Sequence, residues 1–581
     1  MTRERLWPVV LGGWGLAAAV LLLVSASAIA HLWFPDPDDA MRLAQVRDWL
    51  SGQSWWDVSQ HRLWDGHFAM HWSRLVDLPL AFMMGLFDPV FGQALSTRIA
   101  ATTVPLLTLL AVMALAAELT RRLSGMEQAK SAVLLAPLSV PLLHQLRPLR
   151  IDHHGWQIAF ALLAVVALVG TPGRRSGAVI GVALAVLLTI SLEGLPVTAA
   201  ILGVAMLAGA LMPARREQAL VAIWTLAVST LLLHVATRGP AMFTPVCDAI
   251  APAWIAALAV AALGATVPML LHRLPLIARL AMLAAAGGAA LATLAAVSPQ
   301  CLGGPFAGLD PFVRRFWYEN VAEGMPVWQQ APSWAAMSIG FPLTGLVGGA
   351  LAWRASAGEA RVRWTMLLAL AAATFALSLL VIRTGSTANA LALPGGAWAL
   401  HAMLTRARAV RALPLRIAAT TGALLAATPG LAAAALFGLA PAATPRPSAA
   451  ITLARTPCDD IHQVSDLAAL PTARLFAPID ITPQILATTA HSAIAGGYHR
   501  NLAAIHRTMA TYMADPATAH RWVLESGASY VVGCPGTNET EMYKHFAPAG
   551  LWARLERGDT VPWLRPVVIR NSPVLVWKVA G

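Results

Sequence analysis

The feature that most constrains this chain is a series of apolar stretches long enough to cross a lipid bilayer. Pro8–Ala30 and Ile417–Leu439 both satisfy the requirement of roughly 20 apolar residues for a helix that spans the hydrocarbon core. Hydrophobic residues make up 57% of the chain and charged residues only 12%, whereas a soluble domain carries about 25% charge. Because a water-soluble fold could not bury so much apolar surface, the sequence predicts a polytopic α-helical membrane protein.

The net charge of +12 comes from basic residues in short connections between apolar segments. Such clusters are typical of cytoplasmic loops under the positive-inside rule, and this placement argues against nucleic acid as a partner. The clusters are Arg121-Arg122, Arg174-Arg175, Arg215-Arg216, His272-Arg273, Arg354 to Arg363 and Arg406 to Arg416.

Applied along the chain, length and charge predict about thirteen spans. We expect them near residues 8–31, 94–120, 130–147, 156–171, 177–191, 195–212, 218–237, 252–271, 277–297, 334–352, 363–382, 388–404 and 417–439. We interpret the first as an uncleaved span with a cytoplasmic N-terminus, because its apolar run is too long for a signal peptide. An odd number of spans then places the C-terminal end outside, which we take to be the periplasmic side of a bacterial inner membrane.

The four cysteines support this topology. Cys247, Cys301, Cys458 and Cys534 all fall in predicted external segments, where disulfides persist. Cys247 with Cys301 and Cys458 with Cys534 are plausible pairs, and four free thiols are the alternative.

The chain divides into a membrane domain, residues 1–440, and a soluble periplasmic domain, residues 441–581. Pro441–Pro447 is a linker rich in proline. The polar segment after it contains strand patterns near residues 473–476, 530–534 and 573–579 and helical patterns near 497–513 and 516–526, which predict a small α/β module. No phosphate-binding glycine-rich loop supports ATP-driven transport.

Two long external loops are expected, at about residues 34–98 and 298–333. In the first loop, residues 39–50 form an amphipathic helix pattern that we expect to lie along the membrane interface. The apolar segment Leu75–Phe91 is broken by Asp77, Pro79 and Asp88-Pro89, so we place it at the outer surface.

The scarce acidic residues crowd into three external stretches. Asp36, Asp38 and Asp39 follow the first span, Asp152 precedes His153 and His154 in a short loop, and Glu319 and Glu323 lie in the second long loop. Carboxylates that converge at one membrane face suit a hard cation such as Mg²⁺ or Mn²⁺. Locally, Asp38 or Asp39 acting as a helix cap and histidines without a ligand role remain the alternatives.

Other polar residues interrupt apolar segments on the same side. Glu193, an ionisable group at the outer end of two spans, is a functional candidate, with a plain helix-hairpin turn as the alternative. Arg383 ends a later span and suits bidentate contact with a phosphate or simple snorkelling to the headgroups. His499 and Arg500 are conspicuous in the C-terminal segment, without an assigned role.

These motifs resemble the GT-C class of membrane glycosyltransferases, and within it the catalytic subunit of oligosaccharyltransferase. That subunit has thirteen spans and a C-terminal periplasmic or lumenal domain, and the motif likeness is closest over residues 36–74, 150–157 and 319–323. The resemblance implies a divalent metal held by Asp39 or Asp38, by Asp152 with His154, and by Glu323. It also implies that Arg383, with Arg150 and His153, contacts the phosphate of a polyprenyl donor.

Two departures from the oligosaccharyltransferase pattern are visible. Asp152-His153-His154 replaces the second acid of the family's DxD motif with histidine. The Trp-Trp-Asp signature by which that enzyme reads its asparagine acceptor is absent from the C-terminal segment. The resemblance therefore implies inverting transfer of a sugar or glycan from a polyprenyl (di)phosphate at the outer face, with a protein, lipid or polysaccharide as acceptor, and Asp39 or Asp38 as the group that orients or deprotonates it.

Two other functions remain open. A lipid or solute transporter, or a flippase, should place its binding groups near the bilayer midplane, whereas the acids and Arg383 gather at span ends. A transferase of the same fold that modifies surface polysaccharide or lipid A would share the acidic motifs and differ only in the segment that binds its acceptor.

Overall fold

The computed structural model describes residues 5–271, 273–439, 458 and 461–580. The described residues between 5 and 439 are mostly helical, and each predicted span overlaps a helix. In chain order the helices are α1 (Leu6–Val24), α2 (Ala26–His31), α3 (Pro37–Leu50), α4 (Asp77–Ser124), α5 (Met126–Leu135), α6 (Val140–His144), α7 (His154–Val169), α8 (Arg174–Ile190), α9 (Leu195–Leu211), α10 (Arg216–Arg238), α11 (Pro252–Leu270), α12 (Leu276–Val297), α13 (Pro311–Phe316), α14 (Pro332–Arg354), α15 (Gly358–Leu380), α16 (Gly385–Arg408), α17 (Leu413–Ala427) and α18 (Pro429–Leu439).

Within the described residues, eight helices are long and apolar enough to cross a membrane. A ninth candidate is the pair α17 and α18, which is bent by 88° where Thr428 and Pro429 interrupt the helix. The remaining predicted spans are helices that are shorter or less apolar, such as α7 and α8, or that are broken by proline, as between α5 and α6 at Pro137. The predicted fold class, a polytopic helical membrane protein with a C-terminal α/β region, is confirmed.

Helix α4 is bent rather than straight. Its residues from Asp77 to Phe91 precede Gly92, whose φ of 74° and ψ of 161° are not helical, and the span proper follows. Leu78, Phe82 and Leu86 on the first part are exposed. The segment that we placed at the outer surface is therefore helical and continuous in sequence with a span.

Helices α14 and α16 pack backbone against backbone because small residues line their contact. A Cβ atom added to Gly395 would overlap the carbonyl oxygen of Gly345, and one added to Gly348 would overlap that of Gly395. Small residues allow this close approach between membrane helices. The contact holds α14 and α16 together near the middle of both helices.

The C-terminal region is an α/β unit around a five-stranded sheet. Its elements are β1 (Arg474–Phe476), α19 (Thr482–Thr488), β2 (Ser492–Ala493), α20 (Leu502–Met513), α21 (Pro516–Ser526), β3 (Tyr530–Gly533), α22 (Asn538–Phe546), α23 (Leu551–Arg557), β4 (Leu564–Val567) and β5 (Leu575–Val579). The strand order is β2-β1-β3-β5-β4, with β1 parallel to β2 and β3 and with β5 antiparallel to β3 and β4. The predicted linker, residues 441–447, lies outside the described residues, and the division of the chain near residue 440 stays a prediction.

The C-terminal region covers the first external loop. The guanidinium of Arg47 in α3 donates to the Ala487 carbonyl at 2.6 Å, and Arg62 donates to the carbonyls of Leu486 and Thr489 at 2.6 and 3.0 Å. Residues 39–46 of α3 are all buried. The expectation that this helix lies along the membrane interface is therefore wrong, because its apolar face packs against protein.

Both expected disulfides are present. Cys247–Cys301 joins the loop between α10 and α11 to the segment after α12, and Cys458–Cys534 joins the start of the C-terminal region to the end of β3. The four cysteines are thus paired as predicted, and the alternative of free thiols is wrong.

Candidate active site

The first acidic stretch is organised by the start of α3. Asp36 is the N-cap, and its Oδ1 accepts from the backbone N–H of Asp38 at 2.9 Å. Pro37 at the first helical position is preorganised for this role. Asp38 and Asp39 therefore lie in the first turn, where the helix dipole favours negative charge, and Asp39 is completely buried.

Arg150 joins the carboxylates of two loops. Its Nη1 donates to Asp39 Oδ2 at 3.0 Å and lies 3.0 Å from Asp36 Oδ2, while its Nη2 lies 3.3 Å from Glu323 Oε1. Its Nε donates to Gln145 Oε1 at 2.9 Å. Since its side chain is only 1% exposed, the guanidinium makes its contacts within the protein, and these contacts hold the acidic cluster together.

The second motif lies directly against the first. The backbone N–H of Asp152 donates to Asp39 Oδ1 at 2.8 Å. Asp152 Oδ1 is close to His153 Nδ1 and lies 3.5 Å from Arg42 Nη2, while Asp152 Oδ2 lies 3.3 Å from His154 Nε2. Two loops more than a hundred residues apart in sequence therefore form one polar cluster.

Glu193, Arg383 and Glu323 complete the cluster from three further connections between helices. Glu193 forms an ion pair with Arg383, and its Oε2 lies 3.5 Å from His153 Nε2. Glu323 Oε2 lies 3.7 Å from His154 Nε2. The late loop that carries Glu323 is held near Arg383, because the Ile382 N–H donates to the Met325 carbonyl at 3.1 Å.

Three other predicted residues lie away from this cluster. Glu319 is exposed in the short turn Tyr318–Asn320. His499 and Arg500 both contact Asp248, in the loop before α11.

Sequence reasoning missed Arg42, Asp77 and Tyr498. Arg42 is fully buried, donates to Asp77 Oδ1 at 2.7 Å and stacks 4.7 Å above the Trp72 ring. Tyr498, from the C-terminal region, is 2% exposed, with its ring edge-on to Trp72. Arg42 follows Asp39 by three residues, about one helical turn, and that spacing could have indicated that Arg42 lies next to the acidic cluster. Nothing in the sequence indicates that Tyr498 contacts the first loop.

The carboxyl groups of the cluster are electrostatically unequal. Burial raises the pKa of Asp39 to about 7, although Arg150 acts in the opposite direction. Burial also acts to raise the pKa of Asp152, but His153 and His154 outweigh it and hold that pKa well below its usual range. Asp152 is therefore ionised at neutral pH, whereas Asp39 is balanced between its two forms.

Burial and nearby charges also set the pKa values of the neighbouring side chains. Burial, reinforced by the charges of Asp36 and Asp152, raises the pKa of Asp38 well above its usual range. Burial acts to lower the pKa of His153, yet the Asp152 carboxylate raises it to about 9. Burial acts to raise the pKa of Glu323, but His154 lowers it to about 2. The charges of Asp36 and Asp152 act to raise the pKa values of both Asp38 and Asp39, so the carboxyl groups of this cluster repel one another.

The donor set fits a divalent cation. Asp152, His153 and His154 each place one ligand atom within 4.8 Å of the others. Asp152 Oδ2 is buried and has no hydrogen-bond partner among the described residues, and Glu323 is adjacent through His154. Both oxygens of Asp39 are already occupied, by Arg150 and by the Asp152 N–H.

No family model matches this chain, and no curated protein sequence matches it either. The fold is nevertheless similar to solved structures. The archaeal oligosaccharyltransferase AglB from Archaeoglobus fulgidus, in complex with an inhibitory peptide and a dolichol-phosphate, matches with a TM-score of 0.64 and 14% identity, over 93% of this chain and 71% of that chain.

Two further structures of the Archaeoglobus fulgidus oligosaccharyltransferase give the same result. The apo form matches with a TM-score of 0.62 and 14% identity over 97% of this chain and 73% of that chain. The complex with Zn and sulfate matches with a TM-score of 0.57 and 14% identity over 94% and 70%. The resemblance to GT-C membrane glycosyltransferases, and to oligosaccharyltransferase in particular, is confirmed at the level of the fold.

Proposed function

We propose that this chain transfers a sugar or glycan from a polyprenyl phosphate or diphosphate to an acceptor at the outer face of the membrane. The observation that carries the proposal is the convergence of three carboxyl groups beside Arg383, in an oligosaccharyltransferase-like fold. Arg150 joins Asp39 to Glu323, and the backbone N–H of Asp152 joins that residue to Asp39. The AglB structure holds a dolichol-phosphate, which supports a lipid-linked phosphate donor here.

The proposed cation would be held by Asp152, His154 and Glu323, with Asp39 as a further ligand once Arg150 releases it. When bound, it would supply Lewis-acid stabilisation of the charge that develops on the departing phosphate. Because imidazole nitrogen suits later transition metals and oxygen donors suit Mg²⁺ and Mn²⁺, His154 in this ligand set favours Mn²⁺ or Zn²⁺ over Mg²⁺. A related structure was determined with Zn and sulfate.

The chain's own residues would position the reacting groups. Arg383 would exchange its ion pair with Glu193 for a charge-assisted hydrogen bond to the donor phosphate, with His153 beside it. Asp39 or Asp38 would orient the acceptor and accept its proton, which a carboxyl with a raised pKa does near neutral pH. Arg150 would hold the carboxylates in position rather than bind the phosphate directly.

The proposed setting is a bacterial inner membrane, with the N-terminus cytoplasmic and residues 441–581 periplasmic. The two disulfides support an oxidising compartment for the loops that carry the site. The absence of a Trp-Trp-Asp signature leaves the acceptor class to experiment.

The direct test is mass spectrometry of the lipids that co-purify with the protein, with and without added Mn²⁺, Zn²⁺ or Mg²⁺. We expect a polyprenyl phosphate or diphosphate that carries a sugar or glycan, and its mass gives the phosphate count. If polyprenyl species are consistently absent and another solute is retained instead, the proposal is overturned in favour of a transporter.

A further inference from the structure

A second group of potential metal ligands lies apart from the candidate active site. His71, Asp248 and His499 each place one ligand atom within 4.8 Å of the others. They come from three distant parts of the chain: the loop before α4, the loop between α10 and α11, and the segment before α20. Only the tertiary structure brings them together, so local sequence does not explain their proximity.

Asp248 is the centre of this group. Its Oδ2 accepts from His499 Nε2 at 2.6 Å and from Arg500 Nε at 2.7 Å, and its Oδ1 accepts from Arg500 Nη2 at 2.7 Å. The side chains of Asp248 and His499 are only 10% and 13% exposed. A carboxylate has about four lone-pair sites. Arg500 occupies one on each oxygen, so a metal would take the place on Oδ2 that the contact with His499 holds in this structure.

His71 is the member of the group that lacks a partner. Its Nδ1 is buried without a hydrogen-bond partner among the described residues. Its ring centroid lies 4.7 Å from that of His499, so two imidazoles lie beside one carboxylate. A buried polar nitrogen without a partner is costly, and a bound cation supplies the missing interaction.

The chemistry of this donor set selects the ion. Two imidazoles and one carboxylate are typical ligands of Zn²⁺, with a fourth position left for water. Ligating carboxylates are themselves usually hydrogen-bonded by outer residues, and Arg500 occupies that place. Arg500 is thus a positioning residue for Asp248, not a competitor for the ion.

We propose that His71, Asp248 and His499 bind one Zn²⁺ ion that fastens the C-terminal region to two external loops. Asp248 follows Cys247, whose disulfide with Cys301 anchors this part of the loop. His499 also packs edge-on against Phe306, at 5.1 Å between ring centroids, in the loop that leads to Glu323. The ion therefore stabilises the arrangement of the loops around the candidate active site, and it does so whether or not the proposed transferase function holds.

The test uses the full chain, purified in detergent, stripped with chelator and reloaded with Zn²⁺ alone. Ions retained after dialysis are counted by mass spectrometry in an Asp152→Asn, His154→Ala background, which removes ligands of the other site. We expect one retained ion per chain, lost on His71→Ala or His499→Ala and kept by the control His67→Ala, an exposed histidine of the same loop. Arg500→Gln should weaken Zn²⁺ affinity by roughly tenfold.

Two measurements on the protein without substitutions in the group keep the test independent of variant folding. Co²⁺ in place of Zn²⁺ should give the intense visible absorption of a tetrahedral site, and chelator should lower the apparent melting temperature reversibly. Absence of a retained ion in the Asp152→Asn, His154→Ala background, or retention that does not change in His71→Ala and His499→Ala, overturns the proposal.

Discussion

Arg150 shows how a single buried residue determines the arrangement of the candidate site. Its guanidinium contacts Asp36, Asp39 and Glu323, which come from two loops that would otherwise repel one another. Opposite charge within hydrogen-bonding distance favours the ionised carboxylates. Arg150 therefore positions the acidic groups, and removal of its charge would leave the buried carboxyl of Asp39 without its cation.

The first prediction at the residue scale concerns the three carboxylates. Asp39→Asn, Asp152→Asn and Glu323→Gln should each lower transfer by at least about 100-fold, the usual effect of losing an acid–base or charge-stabilising group. The measurement is release of polyprenyl phosphate from a supplied lipid-linked sugar by purified protein with membrane extract as acceptor.

The matched control for that series is Glu319→Gln. Glu319 belongs to the same loop as Glu323 but is exposed and outside the cluster, so we expect normal release. Normal activity in all three cluster variants would contradict the site assignment.

A second residue-scale prediction concerns Arg383. Arg383→Gln should weaken donor binding by roughly tenfold to 100-fold, because a hydrogen bond to a charged group contributes about 1.5–3 kcal/mol. The variant should raise the KM for the lipid donor. Arg175→Gln makes the same charge change at an exposed position in the first turn of α8 and should leave the KM unchanged. An equal rise in both variants would rule out a specific contact.

At this scale the sequence predicted the acidic residues but not their partners. Asp39, Asp152, His154 and Glu323 were visible because charge is rare in an apolar chain. Tyr498 was not, because it reaches the first loop only through the fold of the C-terminal region, 426 residues beyond Trp72, against which its ring packs.

At the scale of elements, the bend in α4 depends on one glycine. Gly92 has a backbone conformation, φ 74° and ψ 161°, that is almost exclusive to glycine and costs other residues about 1–3 kcal/mol. Gly92→Ala should lower the apparent melting temperature in detergent, followed by intrinsic fluorescence.

Gly85→Ala is the control in the same helix. A Cβ at Gly85 meets open space and its backbone is helical, so alanine should be neutral or stabilising. If Gly92→Ala were as stable as Gly85→Ala, the bend would not require glycine.

A second element-scale prediction concerns the contact between α22 and the loop after β1. Glu539 accepts from the backbone N–H groups of Ile479 and Asp480 at 3.0 and 2.9 Å, and burial raises its pKa from 4.5 to about 8. The folded state then binds a proton that the unfolded state has lost, so stability should fall as pH rises from about 4.5 to about 8.

The melting temperature of the purified chain, measured between about pH 5 and about pH 9, where a carboxyl with such a pKa titrates, checks the predicted fall in stability. In Glu539→Gln the melting temperature should depend less steeply on pH, because the glutamine side chain does not take up a proton. A slope that is unchanged in Glu539→Gln would show that another group is responsible.

Helix α3 shows why a helix can be predicted correctly from the sequence while the surface that its apolar face packs against is not. Its helical pattern was recognised, but an apolar helix face packs equally well against lipid or protein. Only the C-terminal region, which contributes Leu486 and Ala487 to the surface over α3, decides between them, and the sequence does not show that these distant segments meet.

At the scale of the whole molecule, the C-terminal region and the first external loop form a continuous structure. Leu63 pairs with Ala493 as a parallel bridge beside β2, and Arg62 holds two carbonyls at the end of α19. Arg62→Ala should therefore increase protease cleavage and hydrogen exchange in both α3 and α19, because buried carbonyls lose charged donors worth about 1.5–3 kcal/mol each.

Arg570→Ala is the control for this prediction. Arg570 is exposed in the loop before β5, so its loss should leave exchange in α3 and α19 unchanged. Increased exchange in α19 alone, with α3 still protected, would contradict continuity between the two parts.

The apolar helices could be predicted from hydropathy, since bilayer thickness sets their length locally along the chain. The cysteine pairs could be predicted from the segments that this hydropathy pattern leaves between and after the spans. The packing of the C-terminal region on the first loop could not be predicted from the sequence, because it depends on contacts such as that between Arg47 and Ala487, which are 440 residues apart.

That separation has a consequence for biosynthesis. Chains emerge from the ribosome at about 5–20 residues per second, so tens of seconds pass between the synthesis of α3 and that of α19, which covers its apolar face. During that interval the first loop lacks the contacts that Arg47 and Arg62 make with α19 and the residues after it. The candidate site next to α3 therefore takes its final arrangement only after the C-terminal region has been made and has folded.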